Sequence, residues 1–274
     1  MLDNLSRFEP ELYRIVKRTG LHQCPPDLNI KVYKPAPGGQ WIIKTGKLDK
    51  SRILCFGQWV QHFFFNRRQD ELKLFLQHCP NVYDLELGEY TNRNCVNLIP
   101  LLEKLPLRRL CFNPCSFFET RTPYKRKSPY AGPLIIPFDQ PMFHGLTHLE
   151  IILHELDRVK ANYGQLTLLP RLTHLAFTGG YWDTHLEVDK LINSILQHDG
   201  QRIQLLVVIF EHEFDFKTMV PESQHRNNAR VVFLPDAYDD ELDRDRGQGK
   251  RTEKAFWRVA EAKKQEALEK ATVQ

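Results

Sequence analysis

"LTHLEI" at residues 146–151 returns as "LTHLAF" at residues 172–177. Each copy runs apolar, two variable positions, apolar, one variable position, apolar. The same spacing recurs at Val82, Leu85 and Leu87, at Leu107, Leu110 and Phe112, and at Ile203, Leu206 and Val208, with a fainter copy at Ala229, Val232 and Leu234. Successive starts lie 25, 39, 26, 31 and 26 residues apart. Self-similarity at such a period marks a repeat architecture, and this spacing falls in or just above the leucine-rich-repeat range.

The pattern has a physical cause. Alternate side chains of a strand face opposite ways, so Leu149 and Ile151 are expected in a core while His148 and Glu150 point away from it. Leu146 plugs the core from the turn. One such strand cannot bury its own apolar face, whereas neighbours stacked about 4.8 Å apart bury a continuous one. The expected fold class is therefore α/β: an irregular leucine-rich-repeat-like solenoid in which short parallel strands alternate with helices, closed by a C-terminal amphipathic helix.

Between the strands, helical periodicity shows in "DELKLFLQHCPN" (70–81), "NLIPLLEKLP" (97–106) and "EVDKLINSILQHD" (187–199). The 39-residue gap holds an insertion at 113–138 with five prolines, a density that opposes helix and central strand alike; it is expected to be a long loop tethered by Phe117 and Phe118. Residues 1–50 read as a capping segment: a short helix in "FEPELYRIVKR", then the strand-like "LNIKVYK" and "QWIIKT". The repeat domain is assigned to 51–236. An acidic linker and a charged helix fill 237–274, where Phe256, Val259, Ala260, Ala267 and Leu268 predict a helix whose first half docks and whose last half is solvated.

The chain has 274 residues, 42% hydrophobic and 26% charged, with a formal charge of +4. No apolar run approaches the roughly 20 residues that cross a bilayer, and the start lacks a signal-peptide pattern, so a cytoplasmic or nuclear protein is expected rather than a secreted or membrane one. Six cysteines are scattered through a chain too large to need disulfide staples. Cys111 and Cys115 lack the second close pair that zinc requires, so neither a metal nor another cofactor is expected.

Catalytic motifs fail on inspection. His154-Glu155 and His212-Glu213 have Arg158 and Phe216 where a zinc protease needs its second histidine. No nucleophile elbow or phosphate-cradling loop is present. The basic cluster Arg121, Lys125, Arg126 and Lys127 lacks the aromatic interleaving of a single-strand platform and reads as a solvated loop.

The outward strand positions instead offer a binding surface. Asp84 and Glu86, Arg109 and Asn113, His148 and Glu150, and His174 and Thr178 are expected to form columns of mixed polarity without a large apolar patch, suited to a protein or peptide partner. Tyr90, Tyr181 and Trp182, just past strand ends, are candidate aromatic anchors. The expected function is thus a non-enzymatic interaction module. Two alternatives stand beside it: a hydrolase on an irregular α/β fold, or a nucleic-acid binder using residues 121–127.

A family resemblance adds to this reading. "FEPELYRIVKR" is similar to the segment following the F-box in fungal F-box/leucine-rich-repeat-like proteins, "LQHCPNVYDLEL", "FHGLTHLEI" and "LLPRLTHLAF" resemble their repeat strands, and "KAFWRVAEAKK" resembles their closing Trp-containing helix. The resemblance implies a ligand-binding repeat domain that selects substrates for a ubiquitin ligase. No F-box precedes "FEPELYR" here, so direct docking to the ligase adaptor is not expected of this sequence.

Overall fold

The computed structural model describes residues 15–18, 57–65, 69–87, 95–118, 136–153, 163–179, 184–199, 202–210, 212–235 and 255–273. Eight strands form one open sheet: β1 (Ile15–Arg18), β2 (His62–Phe65), β3 (Asp84–Leu87), β4 (Arg109–Phe112), β5 (His148–Leu153), β6 (His174–Gly179), β7 (Leu205–Phe210) and β8 (Val231–Pro235). Every pairing is parallel, and order in the sheet equals order in the chain. Each strand therefore pairs with its predecessor and its successor, with the connecting segment crossing over between them.

The register places like on like. Leu85, Leu110, Leu149, Leu175 and Leu206 lie opposite one another across five strands, and Phe112, Ile151, Phe177 and Val208 follow two positions on. All of them belong to the main core. The turn plugs Val82, Leu107, Leu146, Leu172 and Ile203 are buried in the same cluster.

Helices cover this first face of the sheet. They include α1 (Gln69–His78), which contributes Leu72, Phe75 and Leu76, α2 (Ile99–Leu102), and short α3 (Pro114–Phe118) and α4 (Pro141–His144). The long α5 (His185–Asp199) buries Val188, Leu191, Ile192 and Ile195 at helical spacing, and α6 (Glu213–Met219) packs Phe216 and Met219 against the core edge. The last helix, α7 (Ala255–Val273), lies on the opposite face of the sheet.

A backbone device repeats at five successive junctions, from β2/β3 to β6/β7. The carbonyl of the residue before a strand accepts hydrogen bonds from two consecutive amides of the next repeat: Gln61 from Tyr83 and Asp84, Tyr83 from Arg108 and Arg109, Arg108 from Thr147 and His148, Thr147 from Thr173 and His174, and Thr173 from Gln204 and Leu205. These bonds fix where each strand starts relative to the one before, which sets the register of everything beyond. Close backbone approach accompanies them. A Cβ on Gly145 would stand 2.7 Å from the Leu107 carbonyl oxygen, and one on Gly57 would stand 2.1 Å from that of His78.

The structure corrects the sequence reading at four places. Ile15–Arg18, expected within a helix, is the edge strand β1; adjacent β-branched Ile15 and Val16 favour that state once β2 is there to pair with. A further copy of the motif exists at Val60, Phe63 and Phe65, in register with Leu85 and Leu87, hidden in the sequence by three consecutive phenylalanines. The last copy is shifted by one: Val231 and Phe233, not Val232 and Leu234, face the main core. Its strand is apolar on both faces, so alternation gives no phase. The 113–138 insertion opens with α3, whose Pro114 occupies the first helical position where a proline is tolerated. Phe117 does anchor that base, its ring 5.8 Å from Phe112, and Phe118 packs beside it.

Several expectations lie outside the described residues: the strand-like pieces within 19–50, the basic cluster at 121–127, the linker at 237–249, and Tyr90, Tyr181 and Trp182.

Candidate interaction surface on the polar strand face

The face of the sheet that turns away from the main core carries one register row of polar groups. His62, Asp84, Arg109, His148 and His174 lie opposite one another on β2 to β6. At an interstrand spacing of about 4.8 Å such a row spans roughly 20 Å. Its members are half-buried or buried rather than freely solvated.

At the β2 end, His62 Nδ1 donates to Asp84 Oδ2 at 3.0 Å, since a carboxylate only accepts. With the ring neutral, the Tyr83 hydroxyl then donates to Nε2 at 2.8 Å. Tyr83 also packs edge-on against the imidazole, centroids 4.8 Å apart. The ring of His62 is thereby held from both sides.

The duplicated "LTH" builds the other end. Thr147 Oγ1 donates to the Arg108 carbonyl at 3.1 Å and meets His148 Nδ1 at 2.9 Å. Thr173 repeats this one strand over, with Oγ1 3.3 Å from the Thr147 carbonyl and 2.7 Å from His174 Nδ1. Both imidazoles are thus oriented alike, and they stack with centroids 4.1 Å apart and planes 18° from parallel. Trp257 of α7 stands edge-on to both rings, at 5.2 and 5.7 Å. Glu261, one turn further along the helix, places Oε1 2.7 Å from His174 Nε2.

The setting disfavours a proton on either ring. Burial, the neighbouring His174 and Arg109 hold His148 down at about 3. His174 is also lowered, chiefly by burial, with Glu261 opposing the shift.

The next row is less open than the sequence suggested. Glu150 is buried and accepts a hydrogen bond from Thr178 Oγ1 at 2.8 Å; Asn113 is buried as well. Over β6 to β8 the same face becomes apolar: Ala176, Leu205, Val207, Ile209, Val232 and Leu234 form a second cluster with Phe256, Trp257 and Ala260 of α7. These apolar positions are buried because β7 and β8 are hydrophobic on both sides and the C-terminal helix covers them. That helix takes His174 out of the open row. Asp84, Glu86 and Arg109 remain beside it, half-buried.

A cleft of about 10 Å³, room for roughly one water, lies between Asp84, Arg109, His148, Glu150 and Trp257. Among the described residues no group of three or more His, Cys, Asp or Glu is placed to hold a metal ion, and no helix is long and apolar enough to cross a membrane. Trp257 is the site residue that sequence reasoning missed: the docking half of α7 was legible, but not the face it covers. The chain matches no family model, no curated protein and no solved structure.

Proposed function

We propose that this chain is a non-enzymatic protein-interaction module, a leucine-rich-repeat-like solenoid that holds a protein or peptide partner on its polar strand face. The observation that carries the reading is the register row His62–Asp84–Arg109–His148–His174. His62 and Asp84 bond each other, His148 and His174 each bond the preceding threonine, and Tyr83 and Trp257 flank the row, whereas a merely solvated face would carry long, loosely held side chains. Pre-oriented polar groups beside aromatic rings are what a specific interface uses.

The one-strand-per-repeat order of the sheet supports the solenoid reading, as does the repeated double-acceptor bond at five successive junctions. Together with the resemblance to fungal F-box/leucine-rich-repeat-like proteins, they favour a substrate-recognition role in a ubiquitin-ligase pathway. The proposed setting is the cytoplasm or nucleus, in keeping with the buried thiol of Cys79.

The test is charge reversal. Glu86→Lys and Arg109→Glu, made singly, are expected to lower recovery of a partner on the immobilised chain by at least tenfold while the thermal midpoint moves by only a few degrees, as for other half-buried surface positions. Unchanged recovery with either variant would remove the polar face from consideration.

A further inference from the structure

Six side chains of the polar face make a grid of two rows on three strands. Asp84, Arg109 and His148 lie opposite one another on β3, β4 and β5, and Glu86, Cys111 and Glu150 do so two positions on. Cys111 is the smallest of the six, and the cleft opens where it stands. Leu110 also lines the cleft although its side chain belongs to the main core, so the hollow reaches down to the backbone of β4. Trp257 of α7, docked as it is, walls one side.

What the hollow accepts follows from where the protons are. The Thr147 hydroxyl has one proton and gives it to the Arg108 carbonyl at 3.1 Å, so it accepts from His148 Nδ1, 2.9 Å away, and Nδ1 carries the ring's hydrogen. Nε2 of His148 is then a bare acceptor. Among the described residues it has no hydrogen-bonding partner, and it is not a sealed buried atom. At His174 the corresponding nitrogen meets the Glu261 carboxylate at 2.7 Å and must donate; there the threonine–carbonyl bond is longer, 3.3 Å, and the hydroxyl proton turns to Nδ1 instead. Asp84 has a second oxygen beyond the Oδ2 that takes the His62 hydrogen, and Glu150 can accept again while bonded to Thr178, because a carboxylate has about four lone-pair sites. Burial, His174 and Arg109 hold His148 down at about 3, which leaves Nε2 unprotonated at neutral pH. Within the grid Arg109 is the opposing charge, and the carboxylates of Asp84, Glu86 and Glu150 outnumber it.

We propose that the partner anchors on this face through a lysine, whose ammonium sits in the cleft over Cys111 and donates to Asp84, to His148 Nε2 and to Glu150. The proposal rests on the reading of the chain as an interaction module and names the group that the partner presents. Three donors on an ammonium meet three acceptors. A hollow with room for roughly one water suits that compact charge, whereas the planar fork of a guanidinium is too broad for it. The indole beside it limits competition from water, the setting in which a charged hydrogen bond is strongest.

The probe is Nα-acetyl-lysine methylamide, titrated into the full-length chain and followed by NMR at the ring nitrogens of His148 and the indole N–H of Trp257. Before addition, His148 is expected to carry its hydrogen on Nδ1; a hydrogen on Nε2 overturns the proposal. On addition, both residues are expected to shift saturably, with a Kd lower by about tenfold or more than that of the uncharged norleucine analogue. Equal affinity for the two, no saturable shift up to the solubility limit, or tighter binding of the glutamate analogue, which would make Arg109 the anchor, overturns it. Asp84→Asn, which keeps the shape and removes the charge, is expected to weaken the lysine derivative by roughly fivefold or more, and Cys111→Leu, which fills the hollow, to abolish its binding. Undiminished binding to either variant overturns the proposal too, and where a variant fails to fold the titration of the unsubstituted chain decides alone. If the lysine derivative does not bind while Glu86→Lys still lowers partner recovery, the proposal falls and the functional reading stands; if it binds while recovery is unchanged, the functional reading falls and the ammonium site stands.

Discussion

His148 and His174, the two histidines of the duplicated phrase, stack ring on ring at 4.1 Å because the threonine before each one ties its strand to the previous repeat and its hydroxyl to the imidazole. The repeat is thus more than apolar spacing. Its polar positions are tied together by the same register that aligns the leucines.

Thr147 and Thr173 are accordingly structural. Thr147→Val keeps the shape and removes the hydroxyl that meets the Arg108 carbonyl and His148 Nδ1. A loss of about 1–2 kcal/mol in denaturant unfolding is expected, the usual cost of leaving such partners unsatisfied. A stability within 0.3 kcal/mol of the parent, a difference roughly at the level of ordinary surface changes, would mean that the leucines alone hold the junction.

Acid should destabilise the fold. His148 has its pKa lowered from 6.5 to about 3 in the folded chain by burial and by the neighbouring His174 and Arg109. Its contribution to stability is then complete above about 6.5 and is lost as pH falls toward 3, by up to roughly tenfold per unit for this one group. Arg109, His174, Glu150 and Asp84 on the sheet and Glu261 and Lys264 on the helix surround the pair, and Glu261 pulls the other way by favouring a charged His174. Histidine ring NMR titration reads this directly. His148 should resist protonation down to about pH 4, and in Trp257→Ala its midpoint should rise toward 6.5; a midpoint near 6.5 in the unsubstituted chain would contradict the burial.

Gly145→Ala and Gly57→Ala should each destabilise the chain by about 1–3 kcal/mol, since a new Cβ meets the backbone of another segment rather than a flexible side chain. Gly145 has an ordinary φ of −83°, so the effect is one of packing between repeats. Denaturation midpoints of the two variants check it, and an unchanged midpoint would show that the turns can move apart.

Cys79 and Cys95 are buried, and burial pushes both thiols up to about 12. They should stay unmodified by an alkylating reagent at pH 8 while the chain is folded and react fully in denaturant. Mass spectrometry of the alkylated peptides distinguishes the two states. Reaction at the folded-state rate of an exposed thiol would place them outside the core.

Much of this architecture was legible from apolar spacing. Leu85, Leu110, Leu149 and Leu175 announce their face because polar residues alternate with them on a sheet covered on one side. Legibility ended where that contrast did. Phe63 and Phe65 are hidden in a run of phenylalanines, and in "VVFLP" a strand buried on both faces has no polar positions to set its phase. The candidate site followed the same rule: Asp84, Glu86 and Arg109 fell where alternation put them, whereas Glu150 and His174 are withdrawn by contacts 28 and 87 residues away in the chain, which no local pattern encodes. The amphipathic half of α7 could be read from its own sequence; the apolar seat that receives it is assembled from three strands.

The most direct test of the polar face as a partner-holding surface is carboxyl footprinting of the chain, free and in the complex recovered on it. The account predicts that Asp84 and Glu86 lose labelling in the complex. Protection confined to carboxylates on the connecting segments, such as Glu103 and Glu187, with Asp84 and Glu86 labelled equally in both states, would contradict it and move the interface to the opposite side of the sheet.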